Sequence, residues 1–300
     1  MFKKIILAAT PKMTTQHAAD MAFALARRHK AEVIIYHACE LPEGDWGGAE
    51  NLISCEELVR SAENNIQNYF KDKLKGLFYR MHVVCRGPAD ELISMATKER
   101  ADLIVMGPHC QGPQCAGNRM WGMVDTNVEK VSTQVNAPVL VVTKPSALTE
   151  RDPQHIAMAT DFSTPSESAL CQAVSLAKDF GAKLSIFHVL DIGLAYPNPR
   201  LFQQDMETFI EAAKIKMKRK YEHILKDVEH EYEAWEGVPY SEILKFARWR
   251  ESDLLVLARH SSIKDSHQAL IGSTVVQVAL SPSCPTFIVN YRAKSCIERP

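Results

Sequence analysis

Three groups of residues in the second half of the chain have types and spacings that could do chemistry. The first is Thr160-Asp161, where a hydroxyl and then a carboxylate follow the apolar run Ile156-Ala157-Met158-Ala159. A carboxylate there can accept hydrogen bonds from ribose hydroxyls or an adenine amino group, or can open an Asx-type turn or cap the helix that begins near Ser166. The second is Gly272-Ser273-Thr274, just ahead of Val275. Glycine and hydroxyl residues opening a helix offer unpaired N–H groups to an anion, or serve as an ordinary cap. The third is Leu257-Ala258-Arg259-His260-Ser261, in which His260 could act as a base. No nucleophile–base pair, P-loop or metal cluster accompanies it, so the chemistry indicated is binding.

Two further clusters have structural explanations. His109, Cys110 and Cys115 could be soft metal ligands, with His82 and Cys85 as partners, but their spacing matches no zinc pattern. Lys214, Lys216, Lys218, Arg219 and Lys220 form a basic run that suits a solvated helix face, with Met217 and Tyr221 turned inward. The stretches Pro42 to Gly48 and Pro108 to Trp121 read as lid or interface loops.

These residues are positioned by a duplicated framework. Lys4-Ile5-Ile6-Leu7-Ala8, Ala31-Glu32-Val33-Ile34-Ile35, Ala101-Asp102-Leu103-Ile104 and Ala137-Pro138-Val139 each return about 150 residues later, which marks a duplicated domain. The returns are His155-Ile156-Ala157-Met158-Ala159, Ala182-Lys183-Leu184-Ser185-Ile186, Ser252-Asp253-Leu254-Leu255 and Cys284-Pro285-Thr286. The expected domains are residues 1–146 and 154–300, joined near Ser146 to Pro153 by an exposed connector. Each copy alternates short, continuously apolar runs with helical segments. Leu58, Ala62, Ile66, Phe70 and Leu74 recur every four residues, as do Phe209, Ala213, Met217 and Tyr221, with Ile224 close behind. Runs of that kind fit parallel strands covered on both faces, joined by right-handed crossovers. The fold class is therefore α/β: two tandem, doubly wound, Rossmann-like domains, each a five-stranded parallel sheet with helices on both faces. Ligands in such sheets sit at the carboxyl ends of the strands, by the switch in strand order.

Composition narrows the partners. A net charge of −1 over 300 residues, with neither half strongly basic, argues against nucleic acid as the main partner. No apolar run approaches the roughly 18–20 residues of a membrane span. The opening apolar stretch stops at Thr10-Pro11-Lys12 and reads as a first strand, not a signal sequence. A cytoplasmic protein is expected, with its eight cysteines, none in a CxxC pair, kept reduced.

Residues 154–291 resemble a universal stress protein domain of the nucleotide-binding kind. The resemblance rests on Ala159-Thr160-Asp161-Phe162-Ser163, Gly181-Ala182-Lys183-Leu184, His188-Val189-Leu190-Asp191, Gly272-Ser273-Thr274-Val275 and Pro282-Ser283-Cys284-Pro285, in that order. It implies a site for ATP or another adenine nucleotide, with the Thr160-Asp161 corner meeting ribose and Val189 meeting adenine. Gly272, Ser273 and Thr274 would hold phosphates. ATP-binding members resemble one another in a G-2x-G-9x-G-(S/T) loop, whereas here Ala258 and Ser261 stand at the first two glycines and the following gap is one residue longer. A Cβ at those positions costs close backbone approach and access to positive φ. The first copy departs further: Pro11 is aligned with Asp161, Cys110 with the second glycine, and Asp125-Thr126 with Gly272-Ser273, while Gly107 remains. The expectation is a stress-response protein with regulatory nucleotide binding in its second domain alone, packed as an intramolecular pseudo-dimer and assembling as a homodimer. The alternatives are an interaction scaffold without nucleotide, or a slow ATPase or hydrolase using the same cleft.

Overall fold

A computed structural model of the chain describes residues 1–10, 13–39, 54–85, 88–107, 126–191, 204–259, 274–281 and 284–290. These divide into two compact units, one ending at Val142 and one beginning at Thr143.

In the first unit the strands are β1 (Lys4–Ala8), β2 (Glu32–Ala38), β3 (Tyr79–Val84), β4 (Leu103–Met106) and β5 (Val139–Val141). They alternate with α1 (Met13–His29), α2 (Cys55–Phe70), α3 (Pro88–Glu99) and α4 (Thr126–Gln134). In the second unit β6 (His155–Ala159), β7 (Lys183–Asp191), β8 (His230–Gly237), β9 (Leu254–Ala258) and β10 (Thr286–Val289) alternate with α5 (Thr164–Phe180), α6 (Gln204–Leu225), α7 (Pro239–Trp249) and α8 (Thr274–Ala279). The strand orders are β3-β2-β1-β4-β5 and β8-β7-β6-β9-β10. The pairs β1–β2, β1–β4, β6–β7 and β6–β9 are all parallel. Each unit is thus the doubly wound sheet expected, with its order switching beside the first strand.

Burial explains why the strands carry unbroken apolar runs. Ile5, Ile6 and Leu7, like Ile156, Ala157 and Met158, are fully buried between two helical layers. On one face of the second sheet Phe187 stacks on Phe246 of α7 at 4.1 Å, with Leu255, Leu257 and Val278 around them. The other face is covered by α5 and α6, where Tyr221, Met217 and Leu225 are fully buried. The four-residue stride read from the sequence drifts against the 3.6-residue helical turn. Phe209 is therefore exposed, and Leu225 rather than Ile224 reaches the core.

Both units begin their central strand in the same way. Asp102 Oδ2 accepts from Lys3 N and Lys4 N, each at 2.9 Å, and Asp253 Oδ2 accepts from Gln154 N at 2.8 Å and His155 N at 3.1 Å. These two pins make Lys4 the counterpart of His155. Ala9 then matches Thr160, and Thr10 matches Asp161. The alignment of Pro11 with Asp161 is thereby corrected by one residue. Uniform apolar runs allow a one-residue slip, which the carboxylate pins remove. The connector contains a short 3₁₀ turn, Ala147–Thr149, capped by Ser146, and Arg151 is held to Asp253 at 2.7 Å.

The expectation that all eight cysteines are reduced is corrected at Cys55 and Cys85. Cys55 and Cys85 form a disulfide, with Cα atoms 6.4 Å apart. A sequence separation of 30 hides the pair, which comes together because α2 packs along β3. The loops expected as lids, and His109, Cys110 and Cys115, lie outside the described residues.

Candidate functional site

The strand order of the second unit reverses between β6 and β9, so the crevice lies where those strands end, with β7 beside them. Thr160 and Asp161 leave β6, Ala258 and Arg259 leave β9, and His188 and Val189 lie near the end of β7.

Thr160 is the buried anchor of this corner. Its N–H donates to Phe187 O at 2.8 Å, and its hydroxyl lies 2.8 Å from Tyr221 Oη and 3.2 Å from Ser166 Oγ. The hydroxyl also accepts Phe162 N–H at 3.1 Å, so α5, α6 and the Phe162 turn meet on one small side chain.

Asp161 is exposed, and its Oδ1 accepts from Ser163 N at 2.9 Å and from the Ser163 hydroxyl. Ser163 in turn caps α5, accepting Ser166 N at 3.3 Å. The Asx-turn reading of Asp161 therefore holds. It leaves room for a ligand, because an ionised carboxylate has about four lone-pair sites and Ser163 uses two. Desolvation pushes the carboxyl up, but the hydrogen bonds from Ser163 and Ser166 outweigh it and hold Asp161 below the ordinary carboxylate range. The side chain is an anion at neutral pH.

Phe162 lies in the left-handed region, at φ 64°. Among the described residues three other non-glycine residues do so: Lys30 and Arg100 directly follow a helix, and Glu251 stands one residue beyond one. Phe162 has no such excuse, and the strain of roughly 1–2 kcal/mol is offset by what its ring touches. The ring lies 4.5 Å from His188 and 6.3 Å from Tyr221, with Lys216 Nζ 4.0 Å from its centroid. Its carbonyl accepts from Lys220 Nζ at 2.8 Å, and Lys220 pairs with Glu167 at 2.6 Å.

His188 Nδ1 donates to Thr160 O at 2.8 Å. Burial pushes the imidazole pKa down, the Thr160 carbonyl opposes this, and the Lys216 cation adds to the fall, so the ring is neutral at pH 7 with Nε2 left as an acceptor. The first unit repeats the arrangement, with His37 Nδ1 2.8 Å from Ala9 O.

Val189 owes its position to unequal strand lengths. The pairing of β6 with β7 stops at Ala159–Phe187, whereas β7 continues to Asp191 along β8. Alternate residues of a strand direct their N–H and C=O to opposite sides. Phe187 O faces β6, where it accepts Thr160 N, and Val189 therefore directs its own N–H and C=O to the same side. Among the described residues no strand pairs with β7 there beyond Phe187. The Val189 side chain packs on the opposite face, against the Phe187–Phe246 cluster.

Ala258 closes β9, opposite Val289, and Arg259 N donates to Val289 O at 2.9 Å. Thr274 is the first residue of α8. His260, Ser261, Gly272 and Ser273 lie outside the described residues. The structure thus gathers Thr160, Asp161 and Val189 at one corner and sets Ala258 on the neighbouring strand.

Sequence reasoning missed Phe162, His188, Lys216, Lys220 and Tyr221 as one constellation. The available signal was the i,i+4 pair Lys216 and Lys220 flanking the inward Met217 and Tyr221. The basic run is a solvated face only at Lys218 and Arg219, since Lys214 pairs with Glu233 at 2.8 Å and Lys216 and Lys220 hold the Phe162 loop. Among the described residues no group of histidine, cysteine and carboxylate side chains is arranged to hold a metal ion, and no helix is long and apolar enough to cross a membrane.

Comparison with known proteins is consistent across the chain. The model of the universal stress protein family matches residues 1–143 and again 153–290. A universal stress protein of Methanocaldococcus jannaschii is 28% identical over 144 residues, covering 45% of this chain and 81% of that protein. One from Thermus aquaticus is 30% identical over 145 residues, covering 47% of this chain and 99% of that protein. Among solved structures, a universal stress protein from Archaeoglobus fulgidus superposes with a TM-score of 0.65 at 16% identity, covering 95% of this chain and 96% of that one.

Proposed function

Because the chain belongs to the universal stress protein family, with the family's domain twice over, we propose that it is a stress-response protein that binds an adenine nucleotide, ATP or AMP, in its second domain. The observation that carries this reading is the open edge of β7 at Val189 beside the ionised Asp161. A strand residue with a free N–H and C=O on one side presents a donor and an acceptor, complementary to the ring nitrogen and exocyclic amino group of adenine. Asp161, anchored through Ser163, supplies acceptors for the ribose hydroxyls. The phosphates would extend toward the exit of β9, past Ala258, to Ser261, Gly272, Ser273 and Thr274, with Arg259 as a nearby cation. The role is regulatory: an occupied cleft orders the residues around it and biases a partner surface.

The first domain supports a different reading. Thr10 stands where Asp161 stands, so the ribose carboxylate is missing there, and Ala9 replaces the buried Thr160 hydroxyl. We assign residues 1–146 a scaffold role without a nucleotide of the family kind, and residues 154–300 the binding role.

Calorimetry of the full chain with ATP, ADP and AMP tests this, comparing wild type with Asp161→Ala and Gly272→Glu. One site of micromolar strength, about −8 kcal/mol, weakened by about tenfold or more in Asp161→Ala and lost in Gly272→Glu, is expected. Absence of binding for all three nucleotides would leave the scaffold reading for both domains. Steady phosphate release that vanishes in Asp161→Ala would make the protein an ATPase.

A further inference from the structure

We propose that Cys55 and Cys85 of the first domain form a reversible thiol–disulfide exchange site for low-molecular-weight thiols and disulfides of the glutathione class. Cys55 is the first residue of α2 and is exposed, while Cys85 directly follows β3 and is half-buried, with its sulfur 3.4 Å from Cys55 O. Cys39, directly after β2, completes the corner. Its N–H donates to Val84 O at 2.7 Å, and its sulfur lies 3.9 Å from Leu58 O, one helical turn beyond Cys55.

Two observations separate an exchange site from a structural staple. The first is access, since an external thiolate must reach a sulfur in line with the bond it breaks, and Cys55 sits at an exposed helix start. The second is that, among the described residues, other contacts hold both elements. β3 is registered against β2 from Val33–Tyr79 to Ala38–Val84, α2 is anchored by buried Ile66 and Phe70, and its start is closed by the reciprocal Ser54–Glu57 capping box. The link can open with both elements in place. Cys39 is a bystander, because burial pushes its thiol pKa up and keeps it protonated.

The exchange balances in two steps. A small thiolate attacks Cys55 Sγ, the Cys55–Cys85 bond breaks, and Cys85 leaves as a thiolate. A second small thiolate attacks the mixed disulfide, releasing Cys55 as a thiolate and a small-molecule disulfide. Two small thiols are thereby oxidised as the protein disulfide is reduced to two thiols, and the reverse sequence closes the link.

The test equilibrates the full chain in buffers of reduced and oxidised glutathione, quenches by alkylation and maps the products by mass spectrometry. Expected is a Cys55–Cys85 linked peptide whose fraction falls as the ratio of the squared thiol concentration to the disulfide concentration rises, with an unchanged far-ultraviolet dichroism spectrum. Cys85→Ser should trap glutathione on Cys55, and Cys55→Ser should leave Cys85 alkylatable. A linked peptide absent at the oxidising limit, or surviving the reducing limit, would overturn the proposal. So would unfolding on reduction, or adducts accumulating on Cys39 instead of Cys55.

Discussion

His188 Nδ1 takes the carbonyl oxygen of Thr160 at 2.8 Å, the acceptor that the next bond of the β6–β7 ladder would have used. A side chain from one strand thus ends its own strand's pairing with the neighbour. The separation of β6 from β7 at this point, and with it the exposed edge at Val189, is built into the sheet and does not wait for a ligand.

Asp161 has two tasks, and one substitution separates them. Asp161→Ala removes the acceptor that orients Ser163, which should cost about 0.5–1 kcal/mol of stability in urea denaturation through a weakened α5 cap. Nucleotide affinity in the same protein should fall by about tenfold or more, the equivalent of about 1.4 kcal/mol. A loss of stability with unchanged affinity would confine Asp161 to the turn.

Tyr221→Phe keeps the buried ring and deletes the hydroxyl that faces Thr160 Oγ1. The expected destabilisation is about 1–2 kcal/mol, measured as a shift in urea midpoint without a change of slope. Neutral behaviour would mean that Ser166 and Phe162 N–H satisfy Thr160 by themselves.

Acid should weaken the second domain before its carboxylates titrate. Burial pushes His155 and His188 down, in His155 against Glu231 and with Arg250 and Lys183 adding to the fall. The unfolded chain then takes up protons that the folded one refuses. Stability is complete above the ordinary histidine value of about 6.5 and falls as pH drops below it. Urea midpoints from neutral pH to about pH 5 should show this slope. His155→Asn and His188→Asn should each flatten it, and an unaltered slope in both would assign it elsewhere.

Glu251→Gly and Lys30→Gly should stabilise the chain by about 0.5–1 kcal/mol each, because both exposed residues follow a helix at positive φ with no gain from their Cβ. Gly181 already occupies that position after α5, at φ 69°, and Gly181→Ala should show the opposite sign in thermal denaturation.

The fold was legible because its signals were large. Continuous apolar runs in Ile5-Ile6-Leu7 and Ile156-Ala157-Met158 specify buried parallel strands, and duplication let one copy interpret the other. The candidate site was legible where the proposed role rests on a single side-chain type, as at Asp161. What escaped depended on register or distance. The match of Thr10 to Asp161 needed the Asp102 and Asp253 pins, 98 and 99 residues from the amides they hold. Phe162, Lys216 and Tyr221 meet only after α6 folds back over β7, and Cys55 finds Cys85 only across α2 and β3.

The unequal lengths of neighbouring strands have a consequence for how such a chain can change over time. In the first domain β2 likewise outruns β1, and Ala38 directs its N–H and C=O to the side left open. A contact surface made of main-chain atoms is indifferent to which side chain the gene encodes at that codon. Drift that swaps Asp161's counterpart for Thr10 cannot erase it. Only a proline or a change in segment length could, so this main-chain edge persists whatever side chains stand beside it.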